Sequence, residues 1–372
     1  MSIKIETKRN NPLINAYLDG NIKKFRSLIK SGENINCLHN QKNSLIGLIL
    51  KNRNKPKTNL MFFDEMMANN VYLGNIGDTP GLLFLSIAYQ SDDYYFKKLL
   101  NNGANVNEFG ICSEDVYGPP MHDLIFHNKE HLLKLLFKKQ PDLDICDQEN
   151  DSLLNAFITY NMSYEGNSDD WRRRLNETFS FLIKKGFDPT IRSEDGEQAI
   201  HLLAQSCDDK NIFKNLFKSN YKIDINARDC FGNSPLVVAS YTGNQAAFEF
   251  FIEKGADLNI VNLKGYSALM NAIYNSNDYM FKMLIKNNVN LKLTDKNGNN
   301  IIHYMFKHHS LLDDYYLKTI LRKEPSLFYQ KNKKNQNMID LLKKYHTDKS
   351  LLKEDINKYT KIYKKYNKEL EY

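Results

Sequence analysis

An all-α solenoid of stacked helix-turn-helix units is the fold class that this sequence predicts, and three observations predict it. One short phrase recurs at intervals of 33 to 39 residues, stretched once to 46. Its clearest copies are Phe231-Gly232-Asn233-Ser234-Pro235-Leu236, followed by Phe251-Ile252-Glu253-Lys254-Gly255-Ala256-Asp257-Leu258-Asn259, and the matching run from Lys264 to Asn290. A period of this size marks an array in which each unit buries its apolar face by stacking on the next. Apolar residues also recur at helical spacing inside the copies, as at Phe248, Phe251 and Ile252. Finally, glycines and hydroxyl–proline pairs punctuate the copies where helices must stop and start.

The elements can be justified in order. Taking the first core apolar residue after each turn gives Leu13, Ile46, Leu85, Met121, Leu154, Ile200, Leu236, Leu269, Ile302 and Ile339, hence ten units with the first and last as caps. Ser234-Pro235 and Thr79-Pro80 open helices with a hydroxyl cap and a proline preset at the first turn. Thr242-Gly243-Asn244 reverses the chain between the two helices of a unit. Gly255 ends the second helix, where positive φ is needed, and Gly32, Gly103 and Gly186 repeat the device. Asn220 and Asn288 stand there as the next most tolerant residue.

These residues resemble the ankyrin repeat family, built from a turn, two antiparallel helices and a connecting loop. The resemblance runs from Asn10 to Lys344 and is closest at 196–297. It implies an alanine where the first helix packs closely, and Ala16, Ala88, Ala156, Ala239 and Ala272 fit that slot. Phe157 and Tyr304 crowd nearby positions, so local splaying is expected. The repeat array is assigned to 1–348, with an insertion at 161–175 in the fifth unit and a second one at 108–117 before the fourth. Residues 349–372 form a basic amphipathic C-terminal helix. Its stripe of Leu352, Ile356, Tyr359, Tyr363 and Tyr366 is expected to cap the last repeat. The alternative for this helix is contact with an acidic partner or anionic lipid through Lys358, Lys361, Lys364, Lys365 and Lys368.

Composition excludes several classes. The chain has 372 residues, 42% of them apolar and 26% charged, which marks a folded protein. No run of 18 apolar residues provides a membrane span, and Met1 to Lys8 lacks the apolar core of a secretory signal. Cysteines at 37, 112, 146, 207 and 230 form no Cys-x-x-Cys pair and no compact metal spacing. Free thiols, a reducing compartment and a cytoplasmic location are therefore expected. The formal charge of +7 is spread along the chain rather than gathered, which argues against nucleic acid.

Candidate catalytic strings dissolve on inspection. His127-Asn128-Lys129-Glu130-His131 matches a zinc-peptidase signature, but the register puts His127 in a turn and His131 at the start of the next helix. His122, His201 and His303 follow the core apolar residue, a slot where the resemblance implies hydrogen bonds to neighbouring turns. The acidic run Asp142, Asp144, Asp147, Glu149 and Asp151 lacks the Gly and Glu of a calcium loop. No phosphate-binding loop or nucleophile–base pair is present, so no enzyme activity, cofactor or metal is expected.

The resemblance implies a non-catalytic scaffold that grips a folded protein on its concave face. An immunity protein neutralising a bacterial toxin is one role, and a bacterial or viral effector binding a host protein is another. A nucleic-acid or anionic-surface binder acting through the terminal helix is the third. In such a fold the residue five places after each core position faces the concave side: Gln90, Phe126, Gln205, Tyr241, Tyr274 and Lys307, with Phe231, Lys264 and Tyr266 on the turns. The candidate partner-binding residues are Phe126, Trp171, Phe231, Tyr241, Lys264, Tyr266 and Tyr274. Trp171 is included because the insertion sets it beside three arginines, the residue types enriched at binding hot spots.

Overall fold

Nine of the ten register positions fall on the second residue of a helix. The computed structural model describes residues 11–39, 43–52, 54, 56–74, 81–89, 93–111, 117–126, 129–146, 151–163, 169–307, 314–345 and 352–368. It forms two compact units, Met1–Tyr160 and Asn161–Tyr372.

The first unit contains the helices α1 (Pro12–Leu18), α2 (Ile22–Lys30), α3 (Leu45–Lys51), α4 (Pro56–Ala68), α5 (Leu82–Tyr89), α6 (Asp93–Asn101), α7 (Pro120–Phe126) and α8 (Glu130–Leu136). A further helix, α9 (Leu153–Ser163), runs across the boundary. Asn11 opens α1 by accepting from the Leu13 and Ile14 amides at 2.8 and 3.3 Å, with Pro12 at the first turn. Inner helices stack as α3 on α5 on α7, and outer helices as α2 on α4 and α6 on α8. The rings of Tyr17 and Phe25 meet Phe62 edge-on at 5.3 and 4.9 Å, and Phe25 and Phe62 are fully buried. Each such ring contributes about 1.5–3 kcal/mol. The insertion at 108–117 is gripped at its base, where Gly110–Ile111 pairs antiparallel with Tyr117–Gly118.

Three expectations need correction. Helix α5 starts at Leu82, so Leu83 and not Leu85 holds the core position, and Ser86 rather than Ala88 takes the small-residue slot. Four consecutive buried apolar residues, Leu82 to Leu85, left the phase open to sequence reasoning. Asn220 does not take the left-handed conformation that Asn288 adopts at φ 57°, whereas Asn70 and Gln140 do at 54° and 52°. In the last unit Met338, Leu341 and Leu342 form the core and Ile339 is half-buried. Thr79-Pro80 lies outside the described residues.

The second unit comprises α10 (Asp169–Lys185), α11 (Ala199–Ser206), α12 (Lys210–Phe217), α13 (Pro235–Thr242), α14 (Gln245–Glu253), α15 (Ala268–Tyr274), α16 (Asp278–Lys286), α17 (Ile301–Lys307), α18 (Asp314–Lys323), α19 (Met338–Tyr345) and α20 (Leu352–Lys368). Helices α11, α13, α15, α17 and α19 stack in sequence as an inner row, and α10, α12 and α14 form part of the outer row. Glu249 ties three outer helices together, accepting from Lys210 Nζ at 2.6 Å and Tyr279 OH at 2.5 Å. Those bonds hold its carboxyl down at about 2. His201 and His303 bridge successive turns, their Nε2 atoms lying 3.0 Å from Ala227 O and 2.9 Å from Gln336 O.

Between the helix pairs, five-residue turns project as fingers, and an Asx side chain shapes most of them. Asp229 Oδ1 accepts from the amides of Phe231 and Asn233, and Asn262 and Asp295 repeat the pattern. Each finger then bonds to the one before it. The amides of Cys230, Leu263, Lys296 and Lys333 donate to the carbonyls of Asp195, Phe231, Lys264 and Asn297 at 2.8–3.1 Å. Such close approach leaves no room for a side chain at Gly265, where a Cβ would lie 2.6 Å from Asp295 Cα at a φ of +84°.

The C-terminal helix α20 packs on α18, α19 and the short turn of helix at Pro325–Phe328. Tyr359 is buried edge-on against Phe306 at 5.2 Å, and Tyr363 stacks on Phe328 at 4.8 Å. Burial pushes the Tyr359 phenol up to about 12. Lys358 pairs with Asp314 at 2.8 Å, while Lys361, Lys364 and Lys365 face solvent.

Three outcomes are expected. Gly265→Ala should lose at least about 1 kcal/mol more in chemical denaturation than Gly255→Ala, which has nothing within 4 Å and carries only left-handed strain of ~1–2 kcal/mol. Deleting residues 349–372 uncovers Phe306 and Phe328 and should lower stability by a few kcal/mol, about the loss of one or two buried rings. Burial lowers the His122 imidazole from 6.5 to about 4 and depresses His201 and His303. The unfolded chain therefore binds more protons below its own value, so thermal stability should be full above pH 6.5 and fall toward pH 4.

Candidate protein-binding groove

The second unit carries an open groove of about 730 Å³ between its inner helices and its fingers. Five residues along a helix rotate by about 500°, so the position five after a buried core residue points well away from the core. Tyr241 follows Leu236 by five and Tyr274 follows Leu269 by five, and they are 64% and 52% exposed. From the fingers come Phe231 and Leu263, which are also more than half exposed. A cluster of large exposed apolar side chains on one surface is uncommon.

Five of the seven predicted residues, Phe231, Tyr241, Lys264, Tyr266 and Tyr274, line this one groove. Their roles differ. Tyr266 is half-buried and meets Tyr304 edge-on at 5.8 Å, so it builds the wall instead of standing free. Tyr304 in turn donates to Asp295 Oδ2 at 3.0 Å, and burial raises its phenol. Phe126 ends α7 in the first unit and Trp171 sits in the first turn of α10; the side chains of both lie outside the described residues.

Sequence reasoning missed Glu197, Asp229 and Leu263, which also line the groove. The register contained a signal for two of them. Glu197 occupies the slot after the finger glycine, as Tyr266 does, and Leu263 precedes Lys264 at a finger tip. Burial raises the Glu197 carboxyl, a bond from Gln205 Nε2 at 2.6 Å works against this, and the charges of Asp229 and Asp195 push it up again. Asp229 is buried and occupied by the backbone of its own turn.

The histidine string and the acidic run are described only in part. His131 lies 2.5 Å from Asp93 Oδ2, and His127 is outside the described residues. Among the described residues no group of three His, Cys, Asp or Glu side chains could hold a metal ion. No helix among them is long and apolar enough to cross a membrane.

Paired helices joined by hairpin-like fingers, with an open groove along them, define a helical repeat protein. Family models for ankyrin repeats match residues 172–262, as three copies, and 252–305, as many copies. Over residues 172–305 the chain is therefore matched as ankyrin repeats. An ankyrin repeat protein of Rickettsia felis is 32% identical over 80 residues, which cover 22% of this chain and about a quarter (26%) of that relative. The crystal structure of the ankyrin repeat domain of Bcl-3, a member of the IkappaB protein family, aligns at a TM-score of 0.48 and 22% identity, covering 60% of this chain and 92% of that one.

Proposed function

We propose that the chain is a non-catalytic scaffold that binds a protein partner in the groove of its second unit. Ankyrin repeats mark a protein–protein interaction scaffold. The observation that carries the finer reading is the grouping of Phe231, Tyr241, Leu263 and Tyr274, four large exposed side chains, around one open groove. Tyrosine gives large contact area at small entropy cost, and a few buried anchors carry most of the energy of an interface. Lys264 lies at the rim, where a charge steers more than it binds. Phe126 and Trp171 are proposed as outlying contacts. Neutralising a bacterial toxin and engaging a host protein both need only such a surface, and a toxin gene beside this one would favour the first.

The test uses the full chain. A partner captured from the native host should bind the Tyr241→Ala/Tyr274→Ala variant at least tenfold more weakly, about 1.4 kcal/mol, with the melting curve unchanged. Unaltered affinity would move the contact elsewhere, first to the Trp171 insertion.

A further inference from the structure

The five fingers of the second unit share one register, and their tips carry charge in a fixed order. Aligned on the bonds between fingers, the tip pairs are Glu194-Asp195, Cys230-Phe231, Leu263-Lys264, Lys296-Asn297 and Lys333-Lys334. Their formal charges are −2, 0, +1, +1 and +2, and all ten side chains are exposed. This order is invisible along the chain, because more than thirty residues separate one tip from the next. Stacking turns it into a row running from acidic, through aromatic and aliphatic, to basic.

Among the described residues none of Glu194, Asp195, Lys264, Lys296, Lys333 and Lys334 enters an ion pair within the chain. Other lysines behave differently: Lys210, Lys282, Lys318 and Lys358 are each matched to a carboxylate. The tip charges are thus not neutralised within the fold and act on whatever approaches the edge.

We propose that the finger edge and adjoining groove receive one extended segment of a partner protein whose charges run in the opposite order. A cationic side chain sits at the Glu194–Glu197 end, apolar side chains lie over Phe231, Leu263 and Tyr241, and carboxylates reach Lys296 and Lys333. This rests on the groove being the partner site and adds the chemistry of the occupant. Glu197 supports the acidic end, because a half-buried carboxylate raised by burial and by neighbouring acids gains from an incoming cation. A polyanion such as nucleic acid is disfavoured, since the same edge would repel it at Glu194 and Asp195. Four steps between helices about 8–10 Å apart span roughly 40 Å, the length of about a dozen extended residues.

The experiment uses the full chain and two fluorescent twelve-residue peptides of identical composition. One carries an arginine block, a leucine–tyrosine centre and a glutamate block; the other has the same charges alternated. The block peptide should bind at least tenfold more tightly, with the advantage shrinking in high salt. Lys296→Glu/Lys333→Glu/Lys334→Glu should weaken it at least tenfold. Adding Glu194→Lys/Asp195→Lys to that variant should recover most of the loss, because the peptide can then lie the other way round. Melting curves should stay unchanged throughout. Equal affinity for the two peptides, or indifference to the lysine reversals, overturns the inference. So does duplex DNA binding that outcompetes the block peptide, which would assign the basic end to a polyanion. If Tyr241→Ala/Tyr274→Ala weakens the native partner while the tip reversals change nothing, the groove reading stands and the charge order is wrong. If neither set of variants weakens that partner, both fail.

Discussion

Much in the second unit depends on one contact, the backbone hydrogen bond that each finger turn makes to the turn before it. The amide just after the Asx residue donates to a carbonyl of the preceding finger at 2.8–3.1 Å. That distance brings two backbones together without side chains between them, which is why Gly265 faces Asp295 at a separation no Cβ tolerates. The Asx side chains serve the same contact. Asp229, Asn262 and Asp295 hold their turns by accepting amides, and Asn262 and Asn332 also donate to Asn233 and Asn299 of the preceding finger. A turn held from both sides presents its tip at a constant height and spacing.

Helix packing follows the same spacing. Inner helices α13 and α15, with Ala239 and Ala272 buried, stack on one another, and Asn271 Nδ2 donates across the stack to Val237 O at 3.2 Å. The outer row is joined by rings and by the Lys210–Glu249–Tyr279 cluster. Where the array would end with an apolar face, α20 covers it with Tyr359 and Tyr363 instead of another helix pair. Aromatic side chains suit that task because one ring covers a broad patch and its hydroxyl can reach solvent.

The groove is a by-product of this repetition. The helical positions that face it point away from the core. In α13 and α15 they are Tyr241 and Tyr274, beside Phe231 and Leu263 on the fingers. Surface of this kind costs solubility unless something covers it, which is the physical ground for reading it as an interface.

By itself the sequence determined whatever depends on near neighbours. The period, the helix starts at Ser234-Pro235, the left-handed ends at Gly255 and Asn288, and the five-residue offset to Tyr241 and Tyr274 are all local geometry. The apolar run Leu82 to Leu85 was ambiguous because every phase of it looks buried. Tertiary structure alone decided what stands beside what. Glu197 and Leu263 reach the groove, and Glu194 begins a row that Lys334 ends, through contacts between residues more than thirty positions apart. No local propensity encodes such neighbours. They exist only once each finger has bonded to the last, because the repeat spacing converts distance along the chain into adjacency in space.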